Sequence, residues 1–348
     1  MGRMVSFTSE RVAEVVDEES RELEADEVRI STLYSGISAG TELTAYRGTN
    51  AYMTKKWDEE LRLFVDGSTS FEYPVDGWGY EEVGEVSEVG SGVTSLAVGD
   101  VIWGTWGHRT ETIQKEDRAA KRILQKGADA RIGIFSQIGA IALNVVLDAD
   151  IHVGETVVVF GLGVPGQLVA QLARLNGARV IGVDNVASRR ELALKLGADL
   201  VLDASDGGVA EKVRELTDGR GADVVLEVTG NYRALNEAIR TVAYNSRVCV
   251  AGFMQGEGIG LRLGDEFHHN RVQLVCAQIS GVNPAIDHRW NEYRLQRTFI
   301  DLAVSGKINV TDLISHEMPL EKGGEAFALL DTATTDVLQV VLDAQVSE

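Results

Sequence analysis

Cysteine, proline and lysine are the scarce residues of this chain. Its 348 residues include 2 cysteines and 4 prolines, and only 9 of its 33 basic residues are lysine. Two cysteines cannot build a four-thiolate zinc site. Both Cys249 and Cys276 fall in apolar, strand-like runs, 247–252 and 272–279, so buried inert thiols are expected rather than a disulfide. Positive charge is also short, and the net charge is -20. Such a chain repels phosphate backbones and anionic lipid, so neither nucleic acid nor membrane is an expected partner. The acidity fits an enzyme kept soluble, with adaptation to high salt as the alternative. Residues 5–27 are acidic rather than apolar, so no secretory signal is expected and the cytoplasm is the expected location. The nearest approach to a membrane span, 132–147, is short and carries Ser136, Gln137 and Asn144.

Glycine, by contrast, is abundant, with 37 copies. Up to about residue 126 the chain reads as short strands split by glycine, at 27–33, 80–89 and 101–103. From about 155 it alternates continuous apolar strands (156–160, 179–183, 200–202, 223–228, 247–251 and 272–277) with helix-length segments (167–176, 188–196, 209–217 and 232–243). Buried strands alternating with helices predict a parallel sheet covered on both faces, an α/β doubly wound domain. The tail reads as a long helix over 287–305, a strand near Ile314, a helix over 320–330 and a strand over 337–342. About sixty residues make a poor core alone, so the tail is expected to rejoin the first domain. The expected division is 1–130 with 283–348, and 131–282.

The strand at 156–160 runs into Gly161-Leu162-Gly163-Val164-Pro165-Gly166, which opens a helix, and another strand ends at Asp184. That context makes the glycine pattern a dinucleotide fingerprint. Gly161 permits the tight turn, Gly163 lets backbone N–H groups approach the pyrophosphate, and Gly166 permits close helix packing. The helix N-terminus adds partial positive charge beneath the phosphates. Asp184 stands where the adenosine ribose should lie and would repel a 2′-phosphate, which favours NAD(H). Arg189 and Arg190 could offset that repulsion, leaving NADP(H) as the alternative. Thr229, Gly252 and Phe253, at or just beyond later strand ends, complete the expected cofactor set with Leu162 and Val164.

The whole chain resembles the medium-chain dehydrogenase/reductase family of the zinc alcohol dehydrogenases. The matching segments include Gly36-Ile37-Ser38-Ala39-Gly40-Thr41-Glu42, Gly79-Tyr80-Glu81, Val98-Gly99-Asp100-Val101, 153–163, Leu196-Gly197-Ala198-Asp199 and Gly221-Ala222-Asp223-Val224. The resemblance implies a GroES-like, mostly β catalytic domain beside a Rossmann domain, and it puts nicotinamide-facing backbone of the cofactor site at Gln278, at the end of the last strand. The zinc enzymes carry cysteine where this chain has Ser38-Ala39, and histidine where it has Tyr80. Their third ligand falls near Ser136-Gln137, and the four-cysteine lobe is missing. No metal is therefore expected. The segments around Ser35–Glu42 and Gly79–Glu81 look most like the branch containing bacteriochlorophyllide hydroxyethyl dehydrogenase.

Without a metal, hydrogen-bond donors must stabilise the oxyanion formed on hydride transfer. Tyr80, at the lost ligand position, is the first candidate, its pKa lowered if positive charge is near. Thr41 matches the family hydroxyl that contacts the substrate oxygen, or else caps the following helix. Glu42 and Glu81 match acidic positions around the family's metal and, if buried, need an arginine or a proton. His108, close to Trp103 and Trp106, is a candidate lining of a substrate pocket, with structural roles as the alternative for it and for His268, His269 and His288. The expected activity is zinc-independent hydride transfer between NAD(H) and a small alcohol or ketone. The alternatives are reduction of activated carbon–carbon double bonds and non-catalytic dinucleotide binding. A homodimer is expected through the apolar edge strand at 272–279.

Overall fold

The structure is a computed structural model that describes residues 2–332 and 336–346. The chain falls into two compact units, Ile138–Leu313 and Met1–Gln137 with Ile314–Glu348.

In the unit Ile138–Leu313, six parallel strands stand in the order third, second, first, fourth, fifth, sixth. They are Thr156–Phe160, Arg179–Asp184, Leu200–Asp203, Ala222–Glu227, Val242–Val250 and Gln273–Cys276. This is the Rossmann arrangement, with its switch point between the first and fourth strands. Every residue of Thr156–Phe160 is buried, as the unbroken apolar run predicts for a strand covered on both faces. Val158, Phe160, Ile181, Val183, Val225 and Val248 join one core with Leu235 and Ile239 from the helix Tyr232–Thr241. That helix starts where Asn231 accepts hydrogen bonds from the N–H groups of Arg233 and Ala234.

Three expectations change here. Residues 283–313 pack in this unit and not with the first: a Cβ at Gly139 would overlap the Phe299 ring, and Gln171 exchanges hydrogen bonds with the Asn309 backbone at 3.0 and 2.8 Å. The helix expected over 287–305 is Glu292–Val304. Extended backbone at Asn291 interrupts the preceding turns, and its side chain caps the new helix by accepting from the Arg294 N–H. Cys249 is a buried thiol, its pKa pushed up by burial. Cys276 is exposed instead, because its strand forms the sheet edge.

The other unit holds a three-stranded sheet, Val12–Glu18, Gly2–Ser9 and Val75–Asp76, and a six-stranded sheet centred on Glu27–Ile37. That central strand pairs with Gln339–Asp343, Glu81–Val89 and Glu111–Lys115. Phe7, Tyr46 and Phe327 form the aromatic heart of its core, with Phe327 centred 4.8 Å from Phe7 and 5.6 Å from Tyr46. The helical stretch Ala130–Ala149, longer than the sequence indicated, has the length and composition of a span, but 83% of its apolar window is buried.

Candidate functional site: a glycine loop and a buried hydroxyl and acid network

The glycine loop has the geometry that a pyrophosphate requires. Gly161 adopts φ +91°, and a Cβ there would come within 2.7 Å of Thr229 Cγ2. A Cβ at Gly166 would overlap the Gly161 carbonyl oxygen. At Gly163 the same atom would meet nothing within 4 Å, so the backbone there is open on that side. Gly163 caps the helix Val164–Leu175, and Pro165 lies in its first turn, where its missing N–H costs nothing. The free N–H groups of that turn and the helix dipole make an anion site.

Asp184 is buried at the end of its strand. Its two carboxylate oxygens accept from the N–H groups of Leu162 at 2.7 Å and Val186 at 2.8 Å. It therefore ties the glycine loop to the second strand while keeping lone pairs for a ribose. Arg190 donates to the Asp184 carbonyl at 2.8 Å and pairs with Asp203 at 2.7 Å. The Arg189 carbonyl accepts from the Gln167 amide at 2.8 Å.

Thr229 and Gly252 gather around a residue that sequence reasoning missed, Glu227. Its Oε1 accepts from the Thr229 N–H at 2.8 Å and from the Thr229 hydroxyl. Its Oε2 is buried without a partner, and burial raises its pKa despite the Thr229 hydrogen bonds. A Cβ at Gly252 would stand 2.7 Å from that oxygen. The signal was an acid closing an otherwise apolar buried strand. Phe253 is 46% exposed, and Gln278 is exposed beyond the strand's end, accepting from the Ser280 N–H at 2.7 Å. The loop, the open helix start and the unpartnered carboxyl fit a dinucleotide.

The second arrangement lies in the β-rich unit. Ser38 precedes the helix Ala39–Tyr46, and Glu42 reaches back to accept from the Ser38 N–H at 2.9 Å. This does the work of a capping box. Tyr80 closes a hydroxyl group with Ser38 and Thr41: its oxygen is in hydrogen-bond contact with Ser38 Oγ and donates to Thr41 Oγ1 at 3.2 Å. Thr41 thus serves Tyr80 rather than capping the helix. Beneath them, Glu42 meets His108 Nε2 at 2.6 Å, His108 Nδ1 meets Ser35 Oγ at 2.7 Å, and Ser35 donates to Glu82 at 3.2 Å. Glu82 also accepts from the Trp106 N–H at 2.6 Å and the Glu81 N–H at 3.1 Å.

Glu42, Glu81, Glu82 and His108 are all fully buried. Burial pushes the Glu82 carboxyl up to about 7, against the lowering effect of His108. Burial raises Glu81 well above the usual carboxylate range, helped by the charges of Glu42 and Glu82 and opposed by the Gln339 amide alongside it. These surroundings favour the protonated carboxyl. For His108, burial alone would lower the pKa, but the charge and hydrogen bond of Glu42 raise it on balance. Two motif glycines make room for these acids: a Cβ at Gly36 would stand 2.6 Å from Glu81 Oε2, and one at Gly79 2.9 Å from His108 Nε2.

Several expectations are corrected by this geometry. Burial raises the Tyr80 pKa, and the ionisable groups near it, Glu81 and Glu42, are acidic rather than basic. The partners of the buried acids are His108 and backbone N–H groups, not arginines. His108 lines no pocket, since both ring nitrogens are engaged and Trp103, Trp106 and His108 are all buried. Glu81 likewise offers no atom at a surface. Among the catalytic candidates, Thr41 and Tyr80 alone are half-exposed.

The family's zinc does not fit the residues at its position. Ser38 and Tyr80 bring hydroxyl oxygens that bond each other, and the phenol's raised pKa opposes the ionised form that a metal needs. Among the described residues, no group of three or more His, Cys, Asp and Glu is arranged to hold a metal ion. An open depression of about 670 Å³ lies at the opposite end of the parallel sheet from the glycine loop. Its arginines are already bonded, Arg240 to Glu211 and Glu237, Arg220 to Asp223, and Arg214 to the carbonyls of Arg220 and Arg240.

A zinc-binding dehydrogenase model matches residues 161–292. D-guloside 3-dehydrogenase of Escherichia coli is 32% identical over 328 residues, covering 92% of this chain and 93% of that protein. L-threonine 3-dehydrogenase of Pyrococcus furiosus is 27% identical over 358 residues, covering 93% of each. Among solved structures, a zinc-binding dehydrogenase of Sinorhizobium meliloti bound to NADP superposes with a TM-score of 0.78 at 22% identity, over 99% of both chains. The protein is an alcohol-dehydrogenase-like oxidoreductase. It belongs to the medium-chain, zinc-binding-type dehydrogenase family.

Proposed function

We propose that this protein is a zinc-independent, NAD(H)-linked dehydrogenase of a secondary alcohol of the sugar or polyol type. The observation that carries the reading is the Tyr80–Ser38–Thr41 hydroxyl group, standing where the zinc relatives hold metal ligands. The motifs around it support membership of the branch that resembles bacteriochlorophyllide hydroxyethyl dehydrogenase. The names of its relatives, a guloside dehydrogenase and a threonine dehydrogenase, support an alcohol carbon as the site of chemistry.

The dinucleotide, when bound on the glycine loop, supplies the hydride acceptor or donor. Gly163, Val164 and the first turn of Val164–Leu175 would hold its pyrophosphate, and Asp184 its ribose. Arg190 is already committed to Asp203, which supports NAD(H) over NADP(H). In the β-rich unit Tyr80 stays protonated, because its pKa is raised. In reduction its proton passes to the substrate oxygen and is replaced from water through Thr41 and Ser38; in oxidation the alcohol proton passes to its hydroxyl as its own proton leaves through Thr41 and Ser38 to water. Glu42 and His108 touch no substrate in this scheme. They fix the Ser38 backbone and so the orientation of the hydroxyls. A second copy pairing along Gln273–Cys276 would cover the exposed edge of the Rossmann sheet, and a homodimer is part of the proposal.

The test is a fluorescence titration with NADH and NADPH, followed by turnover with polyols and glycosides on protein stripped by chelation. Tight NADH binding with full turnover and no stoichiometric zinc is expected. Turnover that vanishes on stripping and returns with added zinc would overturn the metal-free mechanism. Preference for NADPH would remove Asp184 as the ribose reader.

A further inference from the structure

Aromatic residues are concentrated in one stretch. The chain has 5 Trp, 8 Tyr and 9 Phe, and Tyr52, Trp57, Phe64, Phe71, Tyr73, Trp78 and Tyr80 all lie within 29 residues. Five of them form one continuous row. Trp57 meets Phe64 edge-on at 5.0 Å between centroids, Phe64 meets Tyr52 at 5.3 Å, Tyr52 stacks on Phe71 at 5.8 Å, and Phe71 meets Trp78 at 5.2 Å. The row begins two residues before Tyr80, where Phe71 and Trp78 pack against the unit's core. It ends on the small hairpin of Lys56–Asp58 and Leu63–Val65, where Phe64 is 41% exposed and Leu61 and Leu63 are 63% and 57% exposed.

The row is held in place rather than draped over the surface. Asn50 caps the 3₁₀ turn Ala51–Met53 by accepting from the Tyr52 N–H, and its amide donates to Thr44 at 2.7 Å. The Tyr52 carbonyl accepts from the Ser70 N–H at 2.8 Å, and the Trp57 N–H donates to Ser70 Oγ at 2.9 Å. The flanks carry Lys55, Lys56, Asp58, Glu59 and Asp66, all suited to hydroxyl groups. Half-exposed rings locked by packing, with polar groups at the rim, are the materials of a preorganised small-molecule site.

We propose that the Trp57–Phe64–Tyr52 end of this row is a stacking platform for a pyranoside ring, so that the protein oxidises a hydroxyl of a cyclic sugar rather than of an open-chain polyol. A pyranose ring has an apolar face of C–H bonds and a rim of hydroxyls. It matches aromatic faces ringed by carboxylates and ammonium groups, whereas a solvated open chain offers no such face. The proposal deepens the alcohol-dehydrogenase reading and rests on it for the reaction, but not for the binding.

The experiment follows intrinsic tryptophan fluorescence while methyl D-gulopyranoside, methyl D-glucopyranoside or sorbitol is added, and measures KM and kcat for each. Wild type is compared with Trp57→Ala, Phe64→Ala and Trp57→Phe. Saturable quenching by a pyranoside is expected, with its KM raised about tenfold in the alanine variants, kcat changed less than about twofold, and most of the affinity restored in Trp57→Phe. NADH titration and the melting temperature verify that each variant is folded. An unchanged pyranoside KM in both alanine variants would overturn the platform, as would preference for sorbitol. If small secondary alcohols are oxidised and no pyranoside binds, the dehydrogenase reading stands and the platform falls. If a pyranoside quenches Trp57 but nothing is oxidised, the dehydrogenase reading falls and the platform stands.

Discussion

At residues 161–166 the working groups are backbone N–H groups, and the side chains matter by being absent. Between Ser35 and His108 the working groups are side chains, drawn from four segments and packed out of water. The first kind of site is a property of one short stretch of chain. It needs a strand, a turn at positive φ and a helix start, all local. The second kind exists only after two strands of a sheet have paired, since Ser35 reaches Glu82 and His108 from 47 and 73 residues away. Backbone sites tolerate no added atoms, and buried side-chain networks tolerate no change in proton count.

The sharpest way to break the comparison is to add atoms to the loop. Gly166→Val places a Cβ on the Gly161 carbonyl oxygen. The helix must move away from the strand, and we expect NADH affinity to fall by about 100-fold or more with an overpacking cost of about 1–3 kcal/mol. Isothermal titration with NADH and a thermal melt measure the two effects. Retained NADH affinity would show that the loop does not hold the cofactor.

Next in size is Tyr80→Phe, which removes one hydroxyl and nothing else. Losing a single oxyanion donor predicts a fall of about 100-fold in kcat with little change in NADH binding. Thr41→Ala should cost about tenfold, as a relay member rather than the donor. If both variants turn over normally, the hydroxyl group has no part in the reaction.

Much of this was legible in the sequence, and unevenly so. Continuous apolar strands announced the Rossmann sheet, and the glycine spacing announced its loop, because both are local patterns. The start of Glu292–Val304 was not legible, since Asp287–Trp290 reads equally well as helix or turn until Asn291 is seen extended. Glu42 and Glu81 were recognised by position but not by state, and Glu82 was not singled out. The first four residues of the strand Glu81–Val89 are buried on both faces. Glu81 and Glu82 therefore both lack water, and no local pattern says so. Nor does the pairing of His108 with Glu42 across 66 residues leave any trace in composition.

The proton count of the network gives a third prediction. Burial pushes the Glu82 carboxyl up to about 7 in the folded state, against an ordinary glutamate value of 4.5. The folded state holds its proton longer than the unfolded state does. Its contribution to stability is therefore fully present below about pH 4.5, and is lost as pH rises to about 7, a span worth roughly 3 kcal/mol. His108, with its pKa raised by Glu42, adds a loss in the same direction above the ordinary histidine value of 6.5. Melting temperatures between pH 5 and pH 8 should fall with rising pH. In Glu82→Gln that slope should flatten, while the baseline drops by about 1–3 kcal/mol, because an amide cannot accept from both the Trp106 and Glu81 N–H groups. An unchanged slope would mean that Glu82 is not the titrating group.

The smallest expected effect is the most discriminating. Burial and the neighbouring carboxylates favour the protonated form of Glu81, with the Gln339 amide alongside it. Glu81→Gln therefore replaces one neutral, buried group with another of the same shape. We expect less than about 0.5 kcal/mol of change in stability and less than about twofold in kcat/KM. The comparison with Glu82 makes the result informative, since of two adjacent acids of one strand only Glu82 should respond to the substitution. If Glu81 instead delivers the proton to the substrate, its amide variant must lose turnover at every pH while remaining folded. That outcome would move the acid of the reaction from the Tyr80 hydroxyl to the carboxyl behind it.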